Sequence, residues 1–225
     1  TGRHPVYFGA LDGFRGVLAL CVAIFHTFWF THINSSAFFN NGPVIIDLFF
    51  VFSGFLMFRL YHNRLSSEEE ANRFLKRRFA RVYPIHFFML TVFIAFACVR
   101  LWAHKVGLSV QDPGEIMPFA KGSSDSFYNI IANLTLTHSM GVSDSLSFNP
   151  PSWTISTEFF AYFVFVLMFL RCPPRKAWHF GILAALIALT YFCLSLLRPN
   201  MDITYDLGFF RCLAGFFTGV IASWV

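Results

Sequence analysis

Arg15 and His26 are the first residues of this sequence whose types and spacing could do chemistry. They are eleven positions apart in an apolar stretch, and eleven steps of an α-helix turn about 1100° and rise about 16 Å. Both side chains therefore belong to one stripe of a helix. In a bilayer with about 30 Å of hydrocarbon, Arg15 would lie at one rim and His26 near the middle. An ionisable residue at that depth is costly unless it is paired or functional, so we expect the functional site around this stripe.

Two carboxylates, Asp47 and Glu158, are embedded in other apolar stretches. Counted from Arg59 and Arg171 at the ends of those stretches, they lie about 18 and 20 Å deep, a depth similar to that of His26. We expect the three side chains to form one hydrogen-bonded cluster, since clustering lowers the cost of burial. A carboxylate on one imidazole nitrogen would raise the basicity of the other, which predicts a general base. The alternative is that Asp47 and His26 only satisfy each other structurally.

A basic segment, Lys76 to Arg81, precedes another apolar run. Arg78 and Arg81 are three positions apart and hence on one helical face, where two guanidinium groups make a site of phosphate size. The alternative is that they only anchor the helix to anionic lipid headgroups. With Arg15 at the same level, a rim of arginines above a deeper polar cluster suits a long ligand, anionic at one end and reactive at the other.

The composition is that of an integral membrane protein. Hydrophobic residues make up 56% of the 225 residues and charged residues 13%, with a mean hydropathy of +0.58, whereas soluble domains have about a quarter charged residues. The basic residues lie in loops between apolar runs, so the net charge of +5 indicates membrane orientation and no nucleic-acid partner. The five cysteines show no metal-ligand spacing, and we expect no metal site.

The apolar runs predict an all-α, polytopic transmembrane helical bundle with about six spans. The predicted spans are about Phe14–Ile33, Val44–Phe58, Val82–Ala103, Trp153–Leu170, Trp178–Leu197 and Leu207 to the end. The positive-inside rule places the N-terminus in the cytoplasm, because most lysines and arginines then fall on that side. The long connection from His104 to Pro151 lies outside and contains an apolar island, Phe127–Met140, that suits an interfacial or re-entrant helix.

Five pieces of the sequence resemble, in order, the successive signatures of the acyltransferase 3 family. They are Leu11-Asp-Gly-Phe-Arg-Gly with His26, Ile46-Asp-Leu-Phe-Phe-Val-Phe-Ser-Gly-Phe-Leu, Arg78-Phe-Ala-Arg-Val-Tyr-Pro, Pro151-Ser-Trp-Thr-Ile-Ser-Thr-Glu-Phe-Phe-Ala-Tyr, and Arg211-Cys-Leu-Ala-Gly-Phe-Phe-Thr-Gly. Thr154, Ile155 and Thr157 stand where Ser, Leu and Val are usual in the family. Family members have more helices than this chain, so we expect residues 1–225 to be the N-terminal portion of one larger transmembrane domain, incomplete at the C-terminus.

The resemblance implies a membrane enzyme, chiefly bacterial, that uses cytoplasmic acyl-CoA, usually acetyl-CoA, to acylate a hydroxyl of a carbohydrate across the inner membrane. It implies catalytic roles for the histidine and the two carboxylates, and acyl-CoA contacts for the arginines. The assigned residues are His26, Asp47 and Glu158 for catalysis, Arg15, Arg78 and Arg81 for acyl-CoA, and Ser152, Trp153 and Tyr162 for the acceptor. Trp153 offers a stacking face for a sugar.

Two other functions remain open from the residues alone. Ionisable groups near the midplane are also what a proton-coupled transporter uses, although the spans show no inverted repeat. A haem protein would need a second histidine in the layer of His26, and we expect none there. Neither the acceptor nor the acyl length follows from the sequence, and His26 is expected either to act as base or to carry the acyl group itself.

Overall fold

The computed structural model describes residues 42–108 and 116–224 together with scattered positions between 13 and 24. We number its six fully described helices α1 to α6, and a 3-10 turn, Pro150–Ser152, leads into α4. The helices are α1 Gly42–Tyr61, α2 Glu68–Lys105, α3 Phe127–Leu134, α4 Trp153–Arg171, α5 Ala177–Leu197 and α6 Gly208–Trp224. The described part of the chain contains helices and no strands, which confirms the all-α prediction.

Four of these helices, α1, α2, α4 and α5, are long and apolar enough to cross a bilayer. α6 is also apolar but has 17 residues. Five of the six predicted spans therefore coincide with described helices. The first, Phe14–Ile33, lies mostly outside the described residues, and its described positions are helical. The apolar island contains α3, whose 8 residues are too few to span a bilayer.

α2 begins fourteen residues before the predicted span and is 38 residues long, about 57 Å at the helical rise. Ser67 caps its N-terminus by accepting a hydrogen bond from the Glu70 backbone N–H at 3.3 Å. Three glutamates, Glu68 to Glu70, occupy the first turn, where they interact favourably with the helix dipole. Capping and dipole effects thus extend the helix beyond the apolar run.

The centre of the bundle is aromatic and lies between α1, α2, α4 and α6. Phe165 of α4 is fully buried, and its ring lies 5.6 Å from Phe216 of α6 and 6.0 Å from Phe74 of α2. α5 and much of α2 are exposed in the bundle. In a membrane protein such apolar outer faces are the ones that contact lipid.

One end of the bundle carries a group of basic residues. Phe58 at the end of α1 contacts Phe169 of α4 and Phe180 of α5, and Phe180 stacks on Trp224 of α6. The neighbouring turns carry Arg59, Arg64, Arg171, Arg175 and Lys176. We call this the basic end.

α1 and α6 are the most closely packed pair among the described helices, because glycines allow their backbones to come into contact. A Cβ atom at Gly54 would collide with the carbonyl oxygen of Phe216, and one at Gly219 with the carbonyl oxygen of Val51. Gly215 and Gly219 of α6 form the small-xxx-small spacing typical of close helix pairs in membranes. This contact fixes the relative height of the two helices and of the polar groups that they carry.

The glycine contact predicts a specific loss of stability. We expect Gly54→Ala to lower the free energy of unfolding by about 1–3 kcal/mol, because the helices must separate to admit the methyl group. Gly181→Ala in α5 is the matched control, since its Cβ would meet nothing within 4 Å and alanine is the better helix former. Thermal unfolding in detergent measures both. Equal melting temperatures for the two variants would contradict the close approach.

Candidate active site

Glu158 of α4 is the centre of a polar cluster inside the bundle. Its Oε1 atom accepts a hydrogen bond from the Tyr162 hydroxyl at 2.7 Å and another from the Ser53 hydroxyl of α1. The two hydroxyl groups lie 3.3 Å from each other, and Ser53 and Tyr162 are both buried. Because both donors bond to the same oxygen, they hold the carboxylate in a fixed orientation. The other oxygen, Oε2, accepts no hydrogen bond among the described residues.

A cavity of about 210 Å³ lies next to this cluster. Glu158 forms part of its wall, and the other lining residues are Val22, Ile46, Phe49, Phe50, Pro151, Trp153 and Thr154. The carboxylate is the one acidic group among these otherwise mostly apolar side chains. The cavity therefore offers a carboxylate to a small group in an apolar setting, which is how catalytic carboxylates are commonly placed.

The first-helix segment contributes Val22 to this cavity. His26 follows Val22 by four residues in the sequence, the spacing that puts two side chains on one face of a helix. Arg15 and His26 themselves lie outside the described residues. Their predicted roles, and the predicted contact between His26 and Asp47, remain predictions.

Asp47 pairs with Arg211 of α6. The Nε atom of Arg211 donates to Asp47 Oδ1 at 2.7 Å, and its Nη groups donate to the carbonyl oxygens of Ile203 at 3.2 Å and Pro43 at 2.5 Å. Arg211 is fully buried, and its guanidinium group lies 5.6 Å from the centroid of the Trp153 ring. One cation thus ties the start of α1 to α6 and to the segment that precedes α6.

The two carboxylates do not share one cluster as the sequence predicted. Ser53, which binds Glu158, follows Asp47 by six residues, or about 9 Å along α1. The prediction counted depth from Arg59 and Arg171 as if both lay at one height, whereas α1 and α4 are offset along their axes. Asp47 and Glu158 therefore have separate partners among the described residues.

The predicted acceptor residues are more enclosed than expected. Ser152 is buried, donates to the carbonyl oxygen of Asn149 at 2.7 Å and lies 3.1 Å from His138 Nε2. Trp153 is 3% exposed and packs edge to face on Phe50, with ring centroids 5.7 Å apart. The expected open stacking face of Trp153 is thus covered in the described structure, although this residue still lines the cavity beside Glu158.

Arg78 and Arg81 do not converge on one point. Arg78 is buried, donates to the Tyr61 hydroxyl at 3.0 Å and lies 5.5 Å from the ring centroids of Tyr61 and Phe74. Arg81 is exposed. Positions three apart on a helix differ by about 60° in direction, which is enough for Arg78 to turn toward α1 while Arg81 points away from the bundle.

A buried histidine pair is the part of the site region that the sequence did not predict. The imidazole rings of His86 in α2 and His138 stack with centroids 5.6 Å apart and an angle of 4°. His86 Nε2 lies 2.9 Å from the carbonyl oxygen of Asn133. Burial first, and the nearby His86 second, lower the pKa of His138 to about 4, so its ring is neutral at physiological pH. The position of His86 within an apolar run was the available signal.

Among the described residues, no group of three or more His, Cys, Asp or Glu side chains lies close enough to hold a metal ion. The five cysteines, all of them described, are free. The described part of the site contains carboxylate, hydroxyl, imidazole and guanidinium groups.

These features define an integral membrane protein with a buried carboxylate beside a small cavity between its helices. Comparison with known proteins identifies the family: the chain matches the acyltransferase 3 family, described as an acyltransferase domain, over residues 8–223, and it belongs to that family. It is therefore a membrane acyltransferase by family.

Two curated relatives match the chain, and one of them is named as an acyltransferase. The chain is 31% identical over 164 residues to protein 2 in the picA locus of Rhizobium radiobacter. The aligned region covers 68% of this chain and 78% of that protein. The chain is 28% identical over 159 residues to the acyltransferase MdmB of Streptomyces mycarofaciens. That aligned region covers 67% of this chain and 35% of MdmB. The matched region thus spans about a third of MdmB. No solved structure matches the chain.

Proposed function

We propose that the protein transfers an acyl group, acetyl in the simplest case, from a cytoplasmic acyl-CoA to a hydroxyl of a cell-surface or exported carbohydrate. Its family membership and the acyltransferase MdmB support the reaction class. In this proposal the protein lies in a bacterial inner membrane with its N-terminus and its basic end in the cytoplasm, as the positive-inside rule favours.

The observation that carries the proposal is the carboxylate of Glu158 in the wall of a cavity between membrane-spanning helices. An acyl transfer needs a group that accepts the proton of the attacking hydroxyl and a site that excludes water, since water would hydrolyse the thioester. The mostly apolar wall meets the second need. Glu158, held by Ser53 and Tyr162, is placed to bind the acceptor hydroxyl.

His26 is the proposed base. In the direct route it takes the proton of the acceptor hydroxyl, the oxygen attacks the thioester carbonyl, the carbon–sulfur bond breaks and the CoA thiolate accepts a proton. In the two-step route an imidazole nitrogen attacks the thioester carbonyl, the carbon–sulfur bond breaks, and CoA leaves as a thiol with the proton of the imidazole. The acceptor oxygen then attacks the acyl-imidazole, the carbon–nitrogen bond breaks, and the proton of the hydroxyl passes to the freed imidazole. Asp47 orients His26 in both routes, with its Oδ2 atom, while Arg211 engages Oδ1.

The remaining assigned residues serve the two substrates. Arg15, Arg78 and Arg81 contribute positive charge for the phosphates of acyl-CoA, and Ser152 and Trp153 shape the acceptor side of the cavity. Tyr162 acts by positioning Glu158 rather than by contact with a sugar, since its hydroxyl bonds the carboxylate and the residue is buried.

The direct test is reconstitution of the purified protein in liposomes with labelled acetyl-CoA. Glycans from cells that lack the gene serve as the acceptor pool, and mass spectrometry detects the acetylated product. CoA-dependent labelling of a carbohydrate supports the proposal. Acyl-independent movement of protons and solute, without labelled product, would favour the proton-coupled transporter instead.

Glu158→Gln separates the charge of this residue from its packing. The amide oxygen of glutamine can accept the bonds that Ser53 and Tyr162 donate to Oε1, so we expect normal yield and melting temperature. The rate of transfer should fall about 100-fold, because a neutral amide binds and orients the acceptor hydroxyl more weakly than a carboxylate does. Glu69→Gln, an exposed carboxylate in the first turn of α2, is the matched control. Wild-type transfer by Glu158→Gln would contradict the role of this carboxylate.

A further inference from the structure

A second and larger cavity, of about 620 Å³, opens at the basic end of the bundle. It lies where the end of α1, the turn between α4 and α5 and the end of α6 meet. Its wall includes Arg59, His62, Phe169, Arg175, Ser223 and Trp224. None of these residues belongs to the acyltransfer site described above.

The cavity is positively charged and lacks a counter-charge. Arg59 and Arg175 are exposed and form no ion pair among the described residues. No lining residue is acidic. Glu70, which accepts from the backbone and side chain of Ser66, lines the smaller neighbouring cavity instead. Two guanidinium groups without carboxylate partners favour an anionic ligand, phosphate above all.

A buried hydroxyl in the same wall also lacks a partner. Ser223 is 9% exposed, and its Oγ atom makes no hydrogen bond among the described residues. A buried polar atom without a partner is costly, and a polar ligand in the cavity would remove that cost. This observation is independent of the arginines.

The walls of the cavity are flat and aromatic. The His62 ring stacks on Phe58 with centroids 5.0 Å apart and an angle of 14°, and the Trp224 ring stacks on Phe180 with centroids 4.2 Å apart and an angle of 13°. Each ring is thus held in a fixed orientation by a second ring. Fixed aromatic faces beside arginines suit a ligand that combines a planar base with phosphate groups.

We propose that this cavity binds the nucleotide end of acyl-CoA, with Arg59 and Arg175 on its phosphates and the aromatic rings on its adenine. These two arginines add to the positive charge that Arg15, Arg78 and Arg81 contribute for the same phosphates in the proposed function. The inference rests on the proposed function, because it takes acyl-CoA as the donor. The volume falls in the range of about 300–1,000 Å³ that is typical of sites for small molecules and cofactors. A lipid headgroup shares the phosphate chemistry but offers no planar base to the rings.

The test uses the purified protein in nanodiscs of zwitterionic lipid, with adenosine 3′,5′-bisphosphate as the probe in calorimetric titrations. We expect Arg59→Gln and Arg175→Gln each to weaken probe binding about tenfold. Arg171→Gln is the matched control: it removes the same charge at the same end but lies outside the cavity wall, and should change binding less than twofold. Binding that is insensitive to both cavity variants overturns the proposal.

A kinetic comparison separates this inference from the proposed function. In the transfer assay, both cavity variants should raise KM for acetyl-CoA and leave KM for acetyl-pantetheine, which lacks the nucleotide, unchanged. Transfer with an unchanged KM for acetyl-CoA would overturn the nucleotide site and leave the proposed function intact. Probe binding that depends on Arg59 and Arg175, in a protein that transfers no acyl group, would support the nucleotide site and refute the proposed function.

Nanodiscs that contain anionic phospholipid distinguish the two sources of phosphate. Probe binding with an unchanged dependence on Arg59 and Arg175 in both lipids supports the nucleotide. Loss of probe binding in anionic lipid, at an ionic strength that screens the membrane surface, would mean that a headgroup occupies the cavity and would overturn the proposal.

Discussion

Replacing His26 with alanine is expected to abolish acyl transfer without lowering the amount of folded protein in the membrane. In both proposed routes the imidazole either takes the proton of the acceptor hydroxyl or carries the acyl group, and alanine can do neither. Loss of a general base alone slows a reaction by about 10²–10⁴-fold, and loss of an acyl carrier stops the two-step route entirely. Initial rates with labelled acetyl-CoA, normalised to folded protein, measure the effect.

His104→Ala is the matched control for this experiment. His104 lies in the last turn of α2, outside the lining of the cavity beside Glu158, so we expect transfer at the wild-type rate. A single turnover without acceptor then separates the two routes: stoichiometric release of CoA thiol by the wild type, absent in His26→Ala, indicates an acyl-imidazole. Full activity of His26→Ala would end the assignment of His26.

The spans were predictable because an apolar run of about 20 residues can cross a bilayer whatever its neighbours are. α5 shows this most clearly: it was predicted at Trp178–Leu197 and observed at Ala177–Leu197. The start of α2 was not predicted, since hydropathy alone places it at Val82. The capping serine, Ser67, and the three glutamates after it were readable signals of the earlier start.

The partners of the polar residues were much harder to predict. Each residue could be placed along its own helix, but contacts between helices depend on their rotation and axial offset. The close approach of Gly54 and Gly219 sets the offset of α1 and α6 and brings Arg211 to Asp47, 164 residues away in the sequence. Sequence analysis named Arg211 only as the first residue of a family signature and predicted no partner for it. It also did not predict that His86, which is 2% exposed, would be buried.

Arg211 carries the largest expected effect on stability. We expect Arg211→Leu to lower the free energy of unfolding by about 3–5 kcal/mol, because it leaves the Asp47 carboxylate without its cation inside the bundle. The carbonyl oxygens of Ile203 and Pro43 lose their donors in the same step. Arg211→Lys should recover only part of the loss, since one ammonium group cannot reproduce the three directed bonds of a guanidinium group. Thermal unfolding in detergent measures the series.

The double variant Asp47→Leu with Arg211→Leu distinguishes a structural role of the ion pair from a role of Asp47 in the reaction. Removing both charges eliminates the unpaired carboxylate, so most of the lost stability should return. If Asp47 also orients His26, as proposed, this double variant is stable but transfers acyl groups far more slowly than the wild type. A stable and fully active double variant would show that the pair only holds α1 to α6. An Arg211→Leu protein as stable as the wild type would contradict the ion pair itself.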